Sequence, residues 1–211
     1  MRSAALLALA STTGCMAQGV DFVGETETTV MQWLDFGREQ APGVTVGFDL
    51  DGAVTTSRDR QGCAQDDFTS PAGEPGIDNN LALLMPLLDL AAENALQALL
   101  LNALNEGRLL VFVERTLEAD GSYAIRFRRG QGAPLLGTDG RLLAGQTLGL
   151  HEDAQLGTAS IATREGDVIE ARDFDVRLPA VVFATLYVLE LKDARLRMEL
   201  REDGALRGLL G

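Results

Sequence analysis

Residues 160–200 read SIATREGDVIEARDFDVRLPAVVFATLYVLELKDARLRMEL, a succession of short apolar runs broken by Gly, Asp and Pro. β-Branched and aromatic residues are frequent in these runs, which is typical of β-strands. In the closing ARLRMEL, the charged residues Arg195, Arg197 and Glu199 alternate with apolar ones, as in a strand with one solvated face. The stretch therefore predicts antiparallel β-structure.

The same pattern extends over much of the rest of the chain. Further strands are predicted at residues 44–50, 108–115 and 123–128, and a hairpin turn at residues 202–204. Strands and helices do not alternate, so a doubly wound parallel sheet is not expected. Short neighbouring strands of this kind predict an antiparallel β-sandwich or a curved sheet.

One segment has a different character. Residues 79–106 are rich in Leu and Ala and contain no β-branched residue, which predicts a helix. Asp78 is a suitable N-cap and Gly107 a suitable stop, while Pro86 predicts a kink or two successive helices. The expected fold class is thus mainly β with one long or kinked helix (α+β), the Leu-rich helix packing on the sheet.

Spacing within the helix predicts which side is buried. Asp89, Glu93 and Gln97 recur at every fourth residue and mark a solvated stripe. The predicted apolar face, directed at the core, comprises Leu81, Leu84, Leu88, Ala92, Leu96 and Leu99. Because charged and amide side chains interrupt the segment, we expect a core helix and not a membrane span.

The N-terminus carries the pattern of a bacterial export signal. Met1 and Arg2 precede an apolar run at residues 4–10 (AALLALA), which is too short for a membrane-spanning helix. Residues 11–15 (STTGC) resemble a lipobox, in which small residues precede a cysteine that becomes lipidated. Thr12 departs from this pattern, because Leu, Val or Ile is usual at its position.

We therefore expect lipidation at Cys15 and an outer-membrane anchor, since Met16 is not the aspartate of an inner-membrane retention signal. Cleavage by an ordinary signal peptidase, giving a secreted or periplasmic chain, and an uncleaved chain remain open. The expected organisation is a signal segment at 1–15, a tether leading into the domain at 16–43, and one β-rich domain at 44–211.

Composition and charge exclude several classes of function. The chain of 211 residues has 31 acidic and 18 basic side chains, a formal net charge of -13, which repels nucleic acid. One histidine and two cysteines provide few of the side chains used in Ser-His-Asp catalysis or zinc sites. We expect no nucleic-acid partner, and an enzymatic role is less expected than a non-enzymatic one.

Residues 49–78 are predicted to form a loop rich in Gly, Asp, Ser and Pro. It contains seven acidic residues, and its only basic residues are Arg58 and Arg60. Crowded carboxylates repel one another unless they are solvated or bridged by a hard cation, and calcium takes oxygen ligands in irregular geometry. The spacing does not fit an EF-hand. The sequence predicts an irregular calcium site with candidate ligands Asp49, Asp51, Asp66, Asp67, Glu74 and Asp78.

Two other interpretations of this loop stay open. In the first, Asp49 and Asp51 make turn hydrogen bonds, Asp78 caps the helix, and the remaining acids are solvated. In the second, two of the carboxylates serve as acid and base in a carbohydrate-active hydrolase, which requires a sugar-binding cleft.

Several spaced blocks resemble a motif in predicted lipoproteins of myxobacteria and related bacteria. The blocks are residues 47–52 (GFDLDG), Cys63, residues 67–79 (DFTSPAGEPGIDN), residues 133–140 (APLLGTDG) and residues 204–208 (GALRG). The resemblance covers residues 44–211 and implies a surface or periplasmic lipoprotein. It supplies no catalytic residue. It also implies a chain truncated at its C-terminus, because members of that group continue further.

Together these features predict a non-enzymatic, membrane-tethered domain of the cell envelope, whose acidic loop binds calcium for structure or recognition. Its expected partners are a membrane, through the lipid anchor, and a protein or a glycan. The alternatives are the carbohydrate-active hydrolase and a docking module that binds a protein through the Leu-rich helix.

Overall fold

The computed structural model describes residues 23–59, 65–93, 95–143, 145–182, 185–201 and 205–211. The fold is mainly β, as the alternating strand pattern predicts: an eight-stranded antiparallel sheet curls into a half-barrel, accompanied by a small sheet and two helices. The predicted turn at 202–204 lies outside the described residues.

The strands of the large sheet are β1 (Thr26–Val30), β6 (Val111–Leu117), β7 (Tyr123–Gln131), β8 (Gly149–Gln155), β9 (Ser160–Glu165), β10 (Val168–Val182), β11 (Thr185–Leu200) and β12 (Leu206–Leu210). Their order in the sheet is β1-β6-β7-β9-β10-β11-β12, with β8 also paired to β7. β1 was not predicted: its segment lies in the expected tether, yet it pairs along its whole length with β6.

The β10–β11 hairpin is longer than its sequence predicts. The pattern predicts separate strands interrupted near residues 172–173 and 192–193, whereas both strands continue through these points. Asp173 and Asp193 adopt φ of 57° and 51°, and the register shifts on either side of Phe174. Such irregularities bend a strand without ending it, so these polar residues mark the bend of the curled sheet.

The small sheet precedes the helices and has the order β2-β3-β4-β5. Its strands are β2 (Glu39–Ala41), β3 (Val44–Thr45), β4 (Phe68–Thr69) and β5 (Pro75–Ile77). The strand predicted at 44–50 ends after Thr45, and the next carbonyl, of Val46, accepts a hydrogen bond from the Asn79 side chain. The acidic loop therefore leaves the small sheet after β3 and returns to it at β4.

The Leu-rich segment forms two helices, α1 (Asn80–Ala91) and α2 (Leu96–Asn105), bent by 86°. α1 continues through Pro86 and ends at Ala91. In the connection to α2, Glu93 has a positive φ of 52°. The N-cap is Asn79 and not the predicted Asp78: the Asn79 side chain accepts a hydrogen bond from the Ala82 N–H at 3.1 Å. Gly107 follows α2 with φ 72°, as a helix stop requires.

The main core lies between α2 and the concave face of the large sheet, with Leu100, Leu104 and Ile169 almost fully buried. The predicted apolar face is correct for Ala92 and Leu96, which are buried, and Leu99 is half-buried. It is wrong for Leu81, Leu84 and Leu88, which are exposed. α1 instead buries Ala82 and Met85, because it rests on small clusters outside the main core.

No single helix among the described residues is long and apolar enough to cross a membrane. α1 and α2 pass that test of length and composition only as a pair, across their bend.

Candidate functional site

Three of the predicted calcium ligands lie together at the base of the acidic loop. Asp49 and Asp51 follow β3, and Asp78 lies between β5 and α1. One carboxylate oxygen from each of the three is within 4.8 Å of the other two. This group, the Asp triad, thus joins the start of the loop to its end, just before the N-terminus of α1.

Backbone amides hold each carboxylate in place. Asp78 Oδ2 accepts hydrogen bonds from the N–H groups of Leu50 at 2.6 Å and Asp51 at 3.3 Å. Asp49 Oδ1 accepts from Gly52 N–H at 2.6 Å, and Asp51 Oδ1 from Ala53 N–H at 2.9 Å. The Asp49 and Asp51 bonds are turn hydrogen bonds, as the first alternative interpretation of the loop expects, whereas Asp78 does not cap the helix as that interpretation has it. Each carboxylate keeps a second oxygen that accepts no hydrogen bond from the described residues.

A basic side chain beside the triad contacts the backbone and not a carboxylate. Arg195, on β11, donates from Nη1 to the backbone carbonyl oxygen of Asp49 and not to a carboxylate. Among the described residues, the triad carboxylates form no ion pair with an arginine or lysine. The triad therefore concentrates negative charge at one point of an already acidic protein.

Burial raises the pKa of Asp78 above its ordinary value, and the nearby Asp51 and Asp67 carboxylates raise it further, while hydrogen bonds from the loop amides lower it. A carboxyl group with a raised pKa favours the folded state when protonated, and this contribution is lost as the pH rises through that pKa. The ionised form of Asp78 is thus unfavourable for folding, and a bound cation would reduce that cost.

The other three predicted ligands lie elsewhere in the loop. Asp67 accepts hydrogen bonds from the backbone and hydroxyl of Thr55, and Asp66 accepts from Ser57 N–H at 2.7 Å. Hydrogen bonds from the Ser57 backbone and side chain lower the pKa of Asp66. Glu74 is exposed in a turn closed by Ser70. Asp66 and Asp67 therefore organise the loop, and a site at the triad uses half of the predicted ligand set.

A second candidate site lies on α1, within the Leu-rich segment to which the docking alternative assigns a function. Among the exposed side chains of α1 are six leucines, which we call the leucine ridge: Leu81, Leu83, Leu84, Leu87, Leu88 and Leu90. Their exposed fractions run from 38% to 72%. The signal was present in the sequence, because residues 80–91 include a single charged residue, Asp89, too few to give a helix a solvated face.

Two cavities lie on the large sheet, away from the triad. One of about 220 Å³ is lined by Arg126, Arg128 and Gln155 together with Phe127, Gly157 and Ala159. The other, of about 190 Å³, is lined by residues of β9, β10 and β11. Neither includes a carboxylate of the acidic loop, so they do not supply the cleft that the hydrolase alternative requires.

The predicted lipidation site, Cys15, lies outside the described residues, as does Cys63. Comparison of the chain with protein-family models, curated proteins and solved structures finds no match.

Proposed function

We propose that this chain is a non-enzymatic, membrane-tethered domain of the cell envelope whose acidic loop binds one calcium ion through Asp49, Asp51 and Asp78. The observation that carries the proposal is the convergence of the three carboxylates on one point. The ion would join the start of the loop to the residue that precedes the α1 cap, which is a structural role.

The separation of the oxygens suits calcium. Calcium–oxygen bonds are about 2.3–2.6 Å, so oxygens on opposite sides of one ion are roughly 5 Å apart. Triad oxygens within 4.8 Å of one another fit around such an ion. Water would complete the coordination shell, because Asp51 is exposed and Asp49 and Asp78 are half-buried. With three protein ligands, the expected Kd is on the order of 10⁻⁴ to 10⁻³ M, as in extracellular modules.

Calcium titration of the full chain tests this proposal, with Asp51→Asn as the variant and Glu74→Gln as the matched control. Each substitution removes one negative charge from an exposed position of the same loop, but only Asp51 belongs to the triad. At about ten times the Kd, calcium should raise the free energy of unfolding of the wild type by about 1.4 kcal/mol. Asp51→Asn should weaken binding about tenfold or more, whereas Glu74→Gln should stay within about twofold of the wild type.

Calorimetric heat and the urea midpoint with and without calcium provide the two measurements. Absence of heat and of stabilisation in the wild type would exclude the site. Equal losses in the two variants would also contradict it, because they would show that calcium screens the loop without occupying a defined position.

The tether is tested separately. In a bacterial host given labelled palmitate, the full chain should incorporate the label, Cys63→Ser should retain it, and Cys15→Ser should lose it completely. An unlabelled wild type, or label that persists in Cys15→Ser, would show that Cys15 is not the anchor.

The leucine ridge favours a second function, attachment of the domain through α1 to another apolar surface. A monomer rarely exposes a contiguous apolar patch of several hundred Å² unless that patch contacts something. Six leucines on one 12-residue helix form such a patch. This function does not depend on calcium, because the Asp triad lies before the cap of α1 and not on its exposed surface.

A further inference from the structure

The breadth of the ridge restricts what can cover it. Successive residues of an α-helix are separated by about 100° around its axis. The exposed apolar positions of α1, which are the leucine ridge with Pro86 and Ala91, therefore occupy an arc of about 220°. Only the remaining side, with Ala82 and Met85, packs against the protein. A flat protein surface laid against α1 would leave much of this arc in water.

The ridge carries no charge, in contrast to the rest of the chain. Asp89 is the one charged residue of α1 and lies on the packed side, where Arg38 donates to its two oxygens at 3.1 and 2.9 Å. The whole chain has a net charge of -13, so two copies brought together would repel each other. An uncharged environment that contacts the helix over more than half of its circumference therefore matches the ridge better than a second, equally acidic copy of the chain.

A lipid bilayer is such an environment, and the predicted tether would hold the domain close to one. Seven residues separate Cys15 from Val23, where the described structure begins, and the eight steps from one Cα to the next span at most about 29 Å. A domain lipidated at Cys15 is therefore held against the bilayer. α1, with 12 residues, is about 18 Å long, shorter than the roughly 30 Å hydrocarbon core, and so would lie along the membrane surface.

We propose that the leucine ridge is a membrane-contact surface, seated in the outer edge of the hydrocarbon of a lipid bilayer. This inference rests on two proposals made above, attachment through α1 and lipidation at Cys15, and names the partner of the first. Interfacial helices usually add lysines and arginines for anionic lipids, and α1 has none. Binding should therefore be driven by apolar contact and should be stronger on neutral than on anionic lipid.

A fluorescent probe on the ridge tests this inference. We would use the full chain with Cys15→Ser and Cys63→Ser, which removes the lipid anchor and the native thiols, and place an environment-sensitive probe at Leu87→Cys. The matched control is Ile161→Cys on β9, because Leu87 and Ile161 are 64% and 63% exposed. Both proteins share the same N-terminus, so vesicle binding through residues 4–10 cannot by itself distinguish the two positions.

With neutral phosphatidylcholine vesicles, emission at position 87 should shift to the blue and rise several-fold, and brominated lipid should quench it. Emission at position 161 should not change. Adding Leu83→Gln and Leu90→Gln should abolish the response at 87, and circular dichroism should show an unchanged fold, because both leucines are exposed. Vesicles containing phosphatidylglycerol should produce a smaller response.

The remaining outcomes contradict the inference in different ways. A blue shift at position 87 without vesicles, growing with protein concentration, would assign the ridge to a second copy and preserve attachment through α1. No shift under any condition would exclude contact with lipid and with a second copy, and would leave a different protein as the partner of α1. Equal shifts at 87 and 161 would indicate adsorption without a defined surface.

Discussion

Gly107→Ala is expected to lower the free energy of unfolding by about 3 kcal/mol or more, a large part of the roughly 5–15 kcal/mol by which folded domains are usually stable. A Cβ at this position would lie 2.0 Å from the carbonyl oxygen of Gly132 and 3.1 Å from Pro134 Cδ. The first contact is with backbone, which can yield only if the segment after β7 moves away from the end of α2. Gly107 also has a φ of 72°, which L-residues other than glycine rarely adopt.

Gly140→Ala separates the cost of the close contact from the cost of the positive φ. Gly140 has almost the same φ, 71°, but a Cβ there would have nothing within 4 Å. Its expected cost is the backbone penalty alone, about 1 kcal/mol. Urea unfolding of the two variants and the wild type gives the difference, provided that the slope with denaturant is unchanged. Equal costs would show that the contact between residues 107 and 132 is relieved without loss of packing.

Gly107 also shows which part of the fold local sequence determines. Its role as a helix stop follows from a local rule, and the structure confirms it. The contact with Gly132 joins residues far apart in the chain, so no local pattern indicates it. The strands of the large sheet are likewise predicted by alternation, whereas the continuity of β10 and β11 depends on bends at Asp173 and Asp193 that look like strand ends in the sequence.

The cap of α1 illustrates a choice that local preference cannot make. Asp78 and Asn79 are both good N-caps. The choice depends on groups far away in sequence: Asn79 also donates to Val46 O at 2.7 Å, and Asp78 accepts from Leu50 N–H. The same applies to the acidic loop. Sequence identifies the crowded carboxylates, but only the path of the loop brings three of them together.

The error on the buried side of α1 has a different cause. Helical periodicity locates a buried face only when the opposite face is polar. In residues 80–91 apolar residues occur around nearly the whole circumference, so Leu81, Leu84 and Leu88 are as apolar as the residues that are buried. Packing of Ala82 and Met85 against Phe68, Phe36 and their neighbours decides the orientation, and that information is tertiary.

Leu104→Ala and Leu90→Ala, the same substitution on consecutive helices, are expected to have very different effects on stability. Leu104 is 1% exposed in the core between α2 and β10, so its truncation should cost about 2–5 kcal/mol through lost burial and a cavity. Leu90 is 72% exposed, so its truncation should change the free energy of unfolding by no more than about 0.5 kcal/mol.

Urea unfolding of both variants in the absence of lipid measures the contrast, with Leu83→Ala as a second ridge variant at 52% exposure. A loss of about 2 kcal/mol or more in Leu90→Ala would show that the ridge is packed within the folded domain, which would contradict its role as a contact surface. If the contrast holds, the leucines of α1 contribute little to folding. A folded domain gains solubility by replacing such residues with polar ones, so their presence on an exposed helix is then explained by what α1 contacts and not by what it stabilises.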